Sequence, residues 1–187
     1  MMDSLEDLRS SMIDRLTTEA VMLSDDSPIS KIIGSMRDLD VYEVLVECGE
    51  RIGIVNVRAI LEATDIASTK AGSIAVFPPK VSATDSVGRV SELMSEHRLR
   101  SLPIWEGRRV VGQITALSIM RSLADHLPEK VKASRVTTED PAVVETSTSA
   151  STARNLMVRR RIDHLPVVEE KRPVGVLTSS HLVFNLR

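Results

Sequence analysis

Three times along the chain, apolar residues at helical spacing give way to a pair of apolar runs split by a short polar break. In the middle copy Val87, Val90 and Met94 fall on one face of a predicted helix. Residues 102–105 then read as a buried strand, 106–109 as a hairpin turn and 110–114 as the return strand. An extended lead-in at 75–81 runs up to Thr84 and Asp85, side chains suited to capping that helix. Thr115 stands where it caps a second helix, Ala116–Leu123. Each copy therefore reads β-α-β-β-α over roughly 55–60 residues, which is small for an independent core. A sheet with an uncovered apolar face needs helices or a sister unit against it, so pairing of copies is expected.

The repetition is explicit in the residues. The stretch "SLPIWEGRRVVGQIT" at 101–115 shares its frame with "HLPVVEEKRPVGVLT" at 164–178. Laying 73–120 over 136–183 needs no gap and matches 13 of 48 positions, among them Met94 with Met157, Arg98 with Arg161, Pro103 with Pro166, Gly112 with Gly175 and Thr115 with Thr178. A first copy is more diverged. At an offset of 58, Leu23, Ile29, Ile32, Met36 and Gly49 fall on Val81, Val87, Val90, Met94 and Gly107. One residue is then lost, placed in the turn, and Gly53 falls on Gly112. Leu45 stands at the proline position and Asn56 at the terminal threonine, while Ser27-Pro28 marks the helix start. The expected boundaries are 1–63 for an N-terminal helix and the first copy, 64–126 for the second and 127–187 for the third.

These phrases resemble the CBS domain, named after cystathionine β-synthase, most fully in "VTTEDPAVVETSTSASTARNLMVRRRIDHLPVVEEKRPVGVLT" at 136–178. The resemblance implies an α/β (α+β) fold in which tandem β-α-β-β-α units pair through their sheets into a pseudo-twofold module. It also implies clefts that take adenosine-containing ligands such as AMP, ATP or S-adenosylmethionine, and a regulatory rather than catalytic role. The gap-free register makes the second and third copies the expected pair, leaving the first to meet its counterpart in a homodimer. The converse, with copies one and two paired and the third making the dimer contact, stays open. The linkers do not separate the two arrangements.

The family motif after the last strand implies a threonine on phosphate or ribose and an aspartate on the ribose hydroxyls. Here the aspartate position holds Ala59, Ser118 and His181 in turn. Thr115 and Thr178 either hold a phosphate at a helix start or only cap their helices. By the same analogy Thr137, in the phrase "RVTTE" that echoes "RLTTE" at 15–19, belongs near an adenine ring; otherwise it is a β-branched strand residue. Ser101 and His164, just ahead of Leu-Pro, stand where relatives face a phosphate, and His164 would add a pH-sensitive donor. The candidate ligand-binding set is thus Ser101, Thr115, Ser118, Thr137, His164, Thr178 and His181.

Composition narrows the function classes. With 42% hydrophobic and 27% charged residues the chain has the profile of a globular domain, and a net charge of −2 with 2% aromatics disfavours nucleic acid. The run Arg159-Arg160-Arg161 fits a solvated helix C-terminus, where positive charge gains roughly 0.3–1 kcal/mol; the alternative is that one of these arginines reaches a cleft phosphate with its bidentate fork. Cys48 stands alone, and His97, His126, His164 and His181 show no metal-ligand spacing. No nucleophile–base set or glycine-rich phosphate loop appears, so catalysis and a bound cofactor are not expected. No apolar run approaches the roughly 20 residues of a membrane span, and a cytoplasmic protein is expected. Two functions follow: a regulatory module that senses an adenosyl or phosphate-bearing ligand and acts on a protein target, or a dimerising scaffold with vestigial clefts.

Overall fold

The computed structural model describes residues 5–124, 132–135, 137 and 139–185; His126 lies outside them. The chain enters through α1 (Leu5–Ser10) and the short strand β1 (Thr17–Thr18). Repeat 1 comprises β2 (Met22–Ser24), α2 (Ile29–Asp38), β3 (Glu43–Cys48), β4 (Arg51–Asn56) and α3 (Val57–Glu62). After α4 (Ala71–Ile74), repeat 2 comprises α5 (Val87–His97), β5 (Ser101–Glu106), β6 (Arg109–Thr115) and α6 (Ala116–Leu123). Repeat 3 comprises β7 (Val144–Glu145), α7 (Ala150–Arg160), β8 (His164–Glu169), β9 (Arg172–Thr178) and α8 (Ser179–Phe184).

The same local chemistry sets each unit. Ser86 accepts from the Arg89 N–H at 3.2 Å and Ser149 from the Thr152 N–H at 3.1 Å, capping α5 and α7. The cap is therefore Ser86 rather than Thr84 or Asp85. Asp85 instead accepts from the Ser82 N–H at 2.7 Å and tightens the turn ahead of the helix. At the other end Asp40, Arg98 and Arg161 take φ values of 52°, 55° and 54°. Beyond them the N–H groups of Val41, Leu99 and Ile162 reach back to the carbonyls of Met36, Met94 and Met157 at 2.9, 2.9 and 3.1 Å. The repeated methionine is thus a buried core residue that also anchors the helix end.

The residue that repeat 1 lacks is not lost from the turn. All three hairpin turns have two residues; Ile104 pairs with Gly112 while Trp105 pairs with Val110, which leaves Val111 as a bulge, and Val174 is its counterpart in repeat 3.

Repeats 1 and 2 form the sheet-to-sheet pair. Leu45 and Ile54, on the outward face of the repeat 1 sheet, are buried in one cluster with Leu102, Ile104 and Ile114 of repeat 2. Each such side chain contributes about 1.5–3 kcal/mol by leaving water. The lead-in segments are exchanged between the two. Thr17 and Thr18 ahead of repeat 1 pair antiparallel with Ile114 and Gln113 of repeat 2, while Val76 ahead of repeat 2 bridges Ile54 of repeat 1. The expected pairing of repeats 2 and 3, with repeat 1 left for a second chain, is overturned. Its equal-register argument concerned core and turn positions, whereas pairing is decided by the outward faces. Repeat 3 docks through its helices: Val183, Met157 and Ala153 share a core with Ile60 and Leu61 of α3, and the Arg37 guanidinium donates to the Phe184 carbonyl.

Candidate functional site

Repeats 1 and 2 meet at a pseudo-twofold axis marked by contacts between equivalent positions. Glu43 is the repeat 1 counterpart of Ser101. Its carboxylate accepts from the Ser101 hydroxyl at 2.8 Å and, through both oxygens at 3.0 Å, from the Arg100 N–H. Glu43 is only 8% exposed. Burial pushes its carboxyl above the ordinary range, and the bonds from Arg100 and Ser101 pull it partly back. The Arg100 guanidinium lies over the ring of its counterpart Tyr42 at 5.4 Å. It also meets its repeat 3 counterpart, Asp163, at 3.4 Å.

Around this axis the turns ahead of β5 and β8 and the start of α3 enclose an open hollow of about 370 Å³ lined by Arg58, Arg98, Leu99, Arg100, Arg160, Arg161 and Asp163. Five arginines from three repeats therefore line it together with one aspartate. Asp163 is engaged by Arg58 at 2.8 Å as well as by Arg100. Among the described residues no carboxylate lies within ion-pair distance of Arg98, Arg160 or Arg161. Arg98 and Arg161 hold the left-handed conformation that glycine adopts at less cost, by about 1–2 kcal/mol for an L-residue. The arrangement offers planar, forked donors of the kind that grip phosphate oxygens. A narrower recess beside it is lined by Tyr42, Glu43, Asn56 and Ser179 among others.

None of the seven sequence-predicted residues lines this hollow. Ser101 is buried and donates to Glu43. Thr115 lies opposite Ser101 across the β5–β6 ladder and caps α6, accepting from the Ser118 N–H at 3.0 Å while the Ser118 hydroxyl receives the Thr115 N–H at 3.3 Å. Repeat 3 has the same construction. His164 is exposed and opposite Thr178, whose hydroxyl accepts from the His181 N–H at 3.1 Å, and His181 Nδ1 receives the Thr178 N–H at 3.3 Å. The two groups of three belong to different repeats. Thr137 is exposed and belongs to no strand. Of the arginine run, Arg160 and Arg161 reach the hollow. Arg58, Arg98, Arg100 and Asp163 were missed; Arg98 carried a signal, as an identical charged position just beyond a helix in two copies.

A family model, CBS domain, matches residues 72–125 and 133–187. The chain belongs to the CBS-domain family. CBS domains are typically regulatory, and the matched segments correspond to repeats 2 and 3; repeat 1 has the same element order without a match. A homoserine O-acetyltransferase of Methanocorpusculum labreanum is 32% identical over 107 residues, covering 56% of this chain and 21% of that protein. An inosine-5'-monophosphate dehydrogenase of Korarchaeum cryptofilum is 33% identical over 105 residues, again 56% and 21%. The chain thus spans about a fifth of the length of these curated relatives. Among solved structures, protein MJ1225 of Methanocaldococcus jannaschii, described as a proposed archaeal homologue of γ-AMPK, superposes with a TM-score of 0.81 at 18% identity, covering 92% of this chain and 71% of that one. No helix among the described residues is long and apolar enough to cross a membrane.

Proposed function

We propose that the chain is a non-catalytic regulatory CBS protein whose ligand is a phosphate-bearing adenosyl compound held, phosphates inward, at the junction of the three repeats. The observation that carries this reading is the convergence of Arg58, Arg98, Arg100, Arg160 and Arg161 around the single carboxylate of Asp163. Four uncompensated positive charges suit a polyphosphate. They disfavour S-adenosylmethionine, whose sulfonium and ammonium groups are cationic, so ATP is the better candidate of the types this family takes. Because the donors come from all three repeats, a bound polyanion stabilises the arrangement that brings them closest. Its differential affinity then shifts the population read by a protein partner. Thr115, Ser118, Thr178, His181, His164 and Thr137 remain candidates for the nucleoside end. A ligand-free scaffold is the second reading, favoured by the engagement of Ser101 with Glu43 and of both threonines as caps.

Thermal unfolding of the full chain with ATP, AMP, S-adenosylmethionine and inorganic triphosphate tests the proposal. ATP and triphosphate should raise the midpoint, with about 2.7 kcal/mol of added stability at 100 times Kd. S-adenosylmethionine should not, and the Arg98→Ala, Arg161→Ala double variant should lose the shift. A flat response to the whole panel, or a shift that survives in the double variant, overturns it.

A further inference from the structure

Asp163 is the one acid lining the arginine hollow, and it belongs to repeat 3 while both its partners belong to the other repeats. The turn ahead of β8 carries it, and its backbone carbonyl is held at 2.9 Å by the Ser179 N–H at the start of α8. From there the Oδ2 oxygen alone accepts both side-chain bonds, from Arg58 Nη2 at 2.8 Å and from Arg100 Nη2 at 3.4 Å. Among the described residues Oδ1 accepts none. Each guanidinium thus gives one nitrogen to the carboxylate, although it has five N–H donors in a fork that suits two acceptor oxygens. The contact is loose beside what a phosphate chain offers, with several anionic oxygens that accept in pairs.

The same carboxylate ties repeats together. Repeat 3 shares its apolar core with repeat 1, whereas the apolar cluster that joins repeats 1 and 2 contains no residue of repeat 3. Among the described residues the Arg100–Asp163 contact is the one hydrogen bond between repeats 2 and 3. Arg100 has a second resting place if that bond opens, over the Tyr42 ring at 5.4 Å. The Asp163 side chain is 22% exposed on the wall of an open hollow. A displaced carboxylate therefore reaches water without crossing a packed core, and escapes the penalty of a buried unpaired charge.

We propose that Asp163 is a built-in competitor of the anionic ligand, a latch that binding must open. In the unliganded chain its carboxylate occupies Arg58 and Arg100 and holds repeat 3 directly to repeat 2. A phosphate chain takes over those two guanidinium groups and expels the carboxylate. The direct tie between repeats 2 and 3 is exchanged for one through the ligand, while the apolar core with repeat 1 stays in place. The inference rests on the anion site proposed above and adds to it the contact that the ligand breaks. That exchange gives the ligand a discrete structural difference to act on, as a population shift requires. It also lowers affinity in two ways. The apparent affinity falls with the fraction of chains that are unlatched, and the carboxylate repels an incoming anion.

Calorimetric titration of the full chain with inorganic triphosphate is the test, on the parent, Asp163→Asn, Asp163→Ser and Asp163→Glu. The Arg58 and Arg100 side chains are 25% and 46% exposed and can turn to water, so the two neutral variants should fold, as circular dichroism checks. Both should bind triphosphate about tenfold or more tightly than the parent. Asp163→Glu restores the carboxylate and should fall back toward the parent affinity. If Asp163 only braces its turn, the neutral variants will bind no better than the parent. That result refutes the competitor and leaves the anion site standing, and so does an Asp163→Glu chain that binds as tightly as Asp163→Asn. Binding by the neutral variants alone supports a latch that triphosphate does not open in the parent. No binding by the parent or by either neutral variant overturns the anion site, and the latch with it.

Discussion

Replacing Glu43 should reveal how the pseudo-twofold axis is held. Its carboxylate is the shared acceptor of the Arg100 N–H and the Ser101 hydroxyl, at 3.0 and 2.8 Å, in a buried setting. Glu43→Ala removes the acceptor and leaves both donors without a partner at the seam between repeats. A buried donor so stranded costs about 1–3 kcal/mol. Part of that is offset, because the variant no longer buries a charge. A net loss of about 2–4 kcal/mol is expected. Glu43→Gln keeps a carbonyl for the Arg100 N–H and offers an N–H to the Ser101 oxygen, so it should stay within about 1 kcal/mol of the parent.

The pH dependence separates this from a simple packing effect. Burial raises the carboxyl of Glu43 above its unfolded value near 4.5, so the folded chain holds the proton more tightly than the unfolded one. The favourable contribution is complete below the unfolded value. It is lost as pH climbs from there through the folded value and is constant above. The slope follows the difference in bound protons and cannot exceed about 1.4 kcal/mol per pH unit for one group. Urea unfolding of parent and Glu43→Gln from mildly acidic to neutral pH isolates it, because every other titrating group is common to both. The parent should lose stability relative to Glu43→Gln as pH rises across that window. Parallel profiles, or a Glu43→Ala chain as stable as the parent, would refute the account of the axis.

Three further stability outcomes follow from backbone geometry. Gly112→Ala should cost about 1–3 kcal/mol by urea unfolding, because its Cβ would strike β1 at 2.5 Å; Gly34→Ala, inside α2 with open space around it, should instead gain about 0.5–1 kcal/mol. The repeat 3 hairpin turns on Glu170 and Lys171 with φ of 49° and 65°, so Glu170→Asn with Lys171→Gly should raise the thermal midpoint, by a gain of about 1 kcal/mol.

How much of this was readable in the sequence depends on whether a feature is local. The helices, hairpins and caps follow from side chains acting within a few residues, and Thr115 ahead of Ala116–Leu123 was placed correctly for that reason. Pairing of sheets depends on outward faces, which the alignment does not weigh. A signal was there: the most diverged repeat carries Leu45 where the others have Pro103 and Pro166, and Ile54 where repeat 2 has Gln113. These larger apolar residues are the ones buried between sheets. The bulge at Val111 was misread as a difference in turn length because a one-residue insertion looks the same in sequence wherever the ladder absorbs it. The arginine hollow was mostly hidden, since Arg58 has no repeat pattern and Arg100 and Asp163 differ in charge at one equivalent position.

That difference in charge has a physical logic. An axis relating two repeats brings equivalent positions face to face, so identical copies would set like on like. Here the facing positions are complements: Glu43 with Ser101, Tyr42 with Arg100, and at the far end of the hairpins Glu50 with Arg108 at 2.8 Å. The last pair is in solvent and adds little to stability, whereas the Glu43 set is buried at the seam between the two repeats. Identity between copies survives in the core and the turns, where no counterpart is faced. Arg98 and Arg161 break the rule. They are identical, of one sign, gathered at the junction in a backbone conformation unfavourable to arginine, and without a carboxylate among the described residues. Like charges gathered in one hollow, where the facing pairs across the axis are complementary, support the proposed phosphate-bearing ligand.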